Sequence, residues 1–170
     1  MFVIEKLNEM LNHFIFKEEI DKNSKLTGIS LSKAGDMAGS SSGFSLKKKN
    51  GKNILEVYNS PNWKSPVTKK YYIAPDNCFL ELKNILVKNK LWTAKEIKPE
   101  KVFIADMASV TWDIYVDESK YYTLFSGQVM PQKYIESFSK VMEYITDIQK
   151  DENLIEIEDI EIKDIEELDD

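Results

Sequence analysis

The stretch "GFSLKKKNGKNILEVYN", residues 43–59, decides the fold. Apolar and polar residues alternate on both sides of Asn50-Gly51, the period of a half-buried β-strand. A two-residue hairpin turn of type I′ needs positive φ at both central positions, and Asn followed by Gly meets that need at little steric cost. So short a loop fixes the register. Lys49 faces Lys52, Leu46 faces Leu55, and Phe44 faces Val57. These apolar pairs share one face of the hairpin, while Ser45, Lys47 and Glu56 share the other.

Working outward from the hairpin, "KLTGISLSK" (25–33) reads as a strand with Ile29 and Leu31 on one face. The intervening "GDMAGSSSG" (35–43) has neither the Gly-x-x-x-x-Gly-Lys-Ser/Thr spacing of a phosphate loop nor the Gly-x-Gly-x-x-Gly of a dinucleotide site, and it leads into a strand. It reads as a flexible connection between antiparallel strands. "SPNWKSPVTKK" (60–70) is a loop with Trp63 between prolines, and "VTKKYYIA" (67–74) is the next strand. Pro75-Asp76 opens a helix with Asp76 as its N-cap, carrying Phe79, Leu82, Ile85 and Leu86 to Lys90. "VFIAD" (102–106) suggests a short strand. "SVTWDIYVDESKYYTLFSG" (109–127) is a second hairpin, turning at Asp117 to Lys120. Pro131 then begins a helix whose stripe runs from Tyr134 to Ile148. Residues 3–19 have helical amphipathicity as well, with His13 at the margin of the apolar stripe.

Strands that arrive as hairpins, flanked by helices, predict an α+β fold: an antiparallel sheet packed on one face by about three helices. The 170 residues suit one domain, placed at 1–150. Residues 151–170 hold eleven Asp/Glu and one Lys, and read as an acidic, Ile-rich tail: a weak amphipathic helix, a strand, or a segment that orders on a partner.

Composition excludes more than it proposes. All 23 basic residues are Lys, so no guanidinium fork exists for phosphate or guanine. This Lys-rich, Arg-free usage resembles the codon bias of an AT-rich bacterial genome, so a bacterial source is the expectation. One His and one Cys leave no Ser-His-Asp relay without His13 and no internal disulfide. No secretory leader and no membrane span is read, which places the expected protein in the cytoplasm. No metal or cofactor motif appears. Asp113, Asp117 and Glu118 are close in sequence but read as a solvent-facing strand residue and a turn. Lys47, Lys48, Lys49 and Lys52 form a basic hairpin tip. The nearby aromatics Phe44 and Tyr58 lie at the hairpin's other end, so nucleic acid is not an expected partner.

The expectation is therefore a non-catalytic protein-interaction protein. Its specific form is an inhibitor or immunity-type protein acting on a basic partner. Six residues are assigned to partner binding: Trp63, a rigid aromatic anchor; Tyr72 and Tyr122, taken as the outward members of the Tyr71-Tyr72 and Tyr121-Tyr122 pairs; and the tail acids Glu156, Glu158 and Asp159. The alternative is a small-molecule binding module or enzyme that uses the Gly35–Gly43 loop as a lid.

Overall fold

The computed structural model describes residues 20–155. The helix expected over 3–19, His13, and the tail acids Glu156, Glu158 and Asp159 lie outside them.

Strands β1 (Leu26–Ala34), β2 (Ser41–Lys49), β3 (Lys52–Ser60) and β4 (Thr68–Ile73) precede helix α1 (Cys78–Lys88). Strands β5 (Ser109–Val116) and β6 (Lys120–Gly127) follow, then helix α2 (Gln132–Ile148), a 3-10 turn (Asp151–Asn153) and the short β7 (Leu154–Ile155). The strands form one seven-stranded sheet in the order β6-β5-β1-β2-β3-β4-β7. All its strand pairs are antiparallel. This is an α+β fold with two α-helices among the described residues.

The turn chemistry sets the register as the sequence predicts. Asn50 and Gly51 take φ of 49° and 78°. Lys49 pairs with Lys52, Leu46 with Leu55 and Phe44 with Val57. Leu46 and Leu55 are fully buried beneath the helices, in one cluster with Ile29, Ile114, Leu82 and Ile145. Trp112 sits within that cluster. Its ring meets Phe44 edge-on at 5.7 Å and Phe138 of α2 at 5.0 Å.

Three local expectations change. Residues 102–106 form no strand; the segment is an irregular loop. Helix α1 starts at Cys78 with Asn77, not Asp76, at its N-cap. The buried Asn53 side chain explains the delay, because its amide donates to the Pro75 carbonyl at 3.0 Å and the Asp76 carbonyl at 3.3 Å, fixing both outside the helix. The helix ends at Lys88, and Lys90 has left-handed φ of 59°. In the second hairpin a β-bulge shifts the register between Trp112 and Asp113. The extra residue, Leu124, is fully buried, and its carbonyl accepts the Ile97 N–H at 2.8 Å.

Truncation of Leu46 to Ala should cost about 2–5 kcal/mol, because the helix-covered site cannot collapse. Gly51→Ala should cost about 1–2 kcal/mol, since the side chain strains a left-handed turn without meeting a neighbour. Urea midpoints of the two variants check this order.

Candidate functional site

Strand direction places three loops at one end of the sheet: residues 35–40 after β1, 61–67 after β3, and 98–108 before β5. The first is a closed turn. The Asp36 carbonyl accepts the Gly39 N–H at 3.0 Å, its carboxylate accepts the Ser40 N–H at 2.8 Å, and the Ser40 hydroxyl donates to the same carboxylate. These bonds, the Ser40 hydroxyl foremost, hold the Asp36 carboxyl below the usual carboxylate range. Gly39, at φ 69°, is the seat of Trp63: a Cβ there would lie 2.8 Å from the indole. The Trp63 N–H reaches the Ala38 carbonyl at 3.4 Å, which joins the two loops. Asn62 braces the second loop by accepting the Lys64 and Ser65 N–H groups at 2.9 and 3.0 Å.

So held, Trp63 is 76% exposed, and Met37 is exposed in the adjoining turn. The third loop carries Phe103, 83% exposed, with Val102, Ile104 and Met107 also in solvent. Its shape comes from Gln128, whose amide accepts the Ile104 N–H at 3.0 Å and donates to the Ile104 and Met107 carbonyls at 2.9 and 2.7 Å. A single exposed apolar residue needs no explanation; here several are displayed on braced loops at one end of the sheet.

The tyrosine pairs resolve differently from the sequence expectation. Tyr72 lies opposite Leu55 and is 7% exposed on the helix-covered face; Tyr122 lies opposite Ile114 and packs partly buried against the same core. The members on the face away from the two helices are Tyr71, opposite Glu56 and itself 7% exposed, and Tyr121, opposite Tyr115 and 55% exposed. Both residues of each pair are large and partly apolar, so alternation alone leaves the phase open; the pairing with Leu55 and Ile114 sets it. Strands β5, β1, β2 and β3 separate Tyr121 from Tyr71, so the two do not meet.

Two carboxylates of the second hairpin are held by hydrogen bonds. Asp113 lies on the open face, buried, and accepts the Thr123 hydroxyl at 2.8 Å. Asp117 occupies the turn at φ 52° and accepts the Lys25 N–H at 2.8 Å, while its own N–H donates to the Lys25 carbonyl at 2.9 Å. That Lys25 bond, aided by the Ser24 hydroxyl, holds the Asp117 carboxyl below its usual range. No group of three or more metal-binding side chains occurs among the described residues. Cys78 is buried at the start of α1, and burial pushes its thiol up to about 11.

Sequence reasoning singled out Trp63 but missed Phe103 and Ile104, because an apolar run reads as a strand. The Gln128 bracket holds it as a displayed loop. No protein-family model matches this chain, and no curated relative does.

Native Cys78 should resist a thiol reagent at pH 8 and react fully once the chain is unfolded. An Asp117 carboxyl depressed on folding adds stability above its unfolded pKa and loses it as pH falls. The parent should therefore lose stability more steeply than Asp117→Asn between about pH 5 and about pH 3, as read by urea midpoints.

Proposed function

We propose that this chain is a non-catalytic interaction protein that engages a protein partner through the loop end of its sheet. The observation carrying this reading is the seating of Trp63. Its indole rests on Gly39 and keeps most of its surface in solvent. Tryptophan is the residue type most enriched where binding energy concentrates, and an anchor already fixed loses little conformational entropy on docking. Met37 and the Phe103 loop extend the same end with further apolar side chains.

An inhibitor-type role adds the acids of residues 151–170, Glu156, Glu158 and Asp159 among them. They would attract a basic partner and speed its encounter. The lid alternative has less support. The 35–40 turn is closed on itself, and the two depressions described below draw no residue from it.

The test is site-specific photo-crosslinking in the source cell, with the probe at Lys64 beside the anchor or at Lys140 on the exposed side of α2. The expected result is a discrete adduct from position 64 alone, reduced at least about 10-fold by Trp63→Ala, the loss typical of a hot-spot truncation. The same adducts from both positions, or an adduct indifferent to Trp63→Ala and Phe103→Ser, would overturn the reading.

A further inference from the structure

The other end of the sheet has the opposite chemistry. A depression of about 600 Å3 lies where β1 begins and β2 and β5 end. Lys25, Lys47 and Lys48 line it against a single acid, Glu118; Tyr115 supplies an aromatic wall on one side of the sheet and Phe79 of α1 one on the other. Among the described residues, none of these lysines is ion-paired. The Lys47 ammonium lies instead over the Tyr115 ring, 4.8 Å from its centroid.

The geometry of that pair is built into the sheet. Gly28 of β1 stands between Tyr115 and Lys47 in the cross-strand row. A Cβ at Gly28 would meet the Tyr115 ring at 3.0 Å, so its absence lets the ring settle onto the strand. Tyr121 extends the aromatic surface with its ring 5.4 Å from Tyr115, and is 55% exposed. On the other side, Lys47 also borders a second depression, of about 230 Å3, together with Lys49, Tyr71 and the Lys69–Glu56 ion pair at 3.4 Å. Lys47 thus borders both concavities, the first of which wraps the end of the sheet and reaches Phe79 of α1.

We infer that this track binds single-stranded nucleic acid, with the lysines on phosphates and Tyr115 and Tyr121 against the bases. Lysine ammoniums act as point charges and tyrosine faces accept any base, so the recognition is independent of sequence. The lack of Arg removes the commonest specific contact to guanine and agrees with that mode. A duplex is disfavoured, because the tyrosines could not reach stacked bases. The sequence pattern of the β2–β3 hairpin could not reveal this surface: its aromatic partner comes from β5, more than sixty residues away.

The test uses the full chain and a fluorescein-labelled 12-nucleotide oligothymidylate, followed by anisotropy at low salt. Residues 156–170 carry nine Asp/Glu and one Lys. A second full-length chain with those acids changed to Asn and Gln removes their competition with phosphates. Binding is expected by at least one of the two chains, with a log–log salt slope near about −2 for three phosphate contacts. Changing Lys47 and Lys48 together to Ala should weaken it at least 10-fold. Tyr115→Leu should weaken it about 5- to 100-fold, and Lys140→Ala should leave it unchanged. Absence of binding by both chains would overturn the inference, as would binding indifferent to Lys47, Lys48 and Tyr115. Adenosine monophosphate binding as tightly as the oligonucleotide would overturn the strand and give the site to a mononucleotide.

Discussion

Asn50 and Gly51 occupy left-handed conformations that few other residue pairs tolerate without strain, and the turn they make allows one pairing of β2 with β3. Because side chains alternate along a strand, a slip by one residue would exchange the two faces. Phe44 and Leu46 would enter solvent, and Ser45 and Lys47 would enter the core. The remaining pairings inherit this choice. β1 reads its phase from β2 through Ile29 opposite Leu46, β5 reads it from β1 through Ile114 opposite Ile29, and β4 takes it from β3 through Tyr72 opposite Leu55. The helices then cover the face on which these residues gather.

Elements whose determinants are adjacent in the chain were legible. The β2–β3 register followed from seventeen consecutive residues, and the stripe of α2 followed from its helical period. Elements that depend on distant partners were not. Nothing local tells β1 that its second neighbour is β5, a pairing whose members lie some eighty residues apart. Helix α1 begins late because Asn53, on a strand more than twenty residues earlier, holds Pro75 and Asp76 outside it. The Val102–Ile104 run looked like a strand because apolarity was its only local signal. Gln128, some 24 residues further on, holds that backbone instead.

The candidate surfaces divide in the same way. Trp63 between two prolines could be picked out by its residue types, but its seat on Gly39 depends on two hairpin ends lying side by side. The face of each tyrosine pair was undecidable from alternation, since either member is compatible with a core. Lys47 was visible as part of a charge run. Its distinguishing property, contact with Tyr115, requires the β5–β1–β2 order and a glycine between them.

The Trp63 loops and the depression lined by Lys25, Lys47 and Lys48 sit at opposite ends of strands nine residues long, about 30 Å apart at the rise of an antiparallel strand. At physiological salt the Debye length is about 8 Å, so charge gathered at the lysine end is not felt at the Trp63 end. Mechanical coupling would need an element with two packed arrangements. The strands between the ends are continuous, and the core beneath them is built from fully buried Leu, Ile and Val side chains that tolerate little displacement. A ligand at one end would therefore leave affinity at the other unchanged. The sheet acts as a rigid spacer, and a molecule occupying both ends would be a bridge whose two halves bind independently.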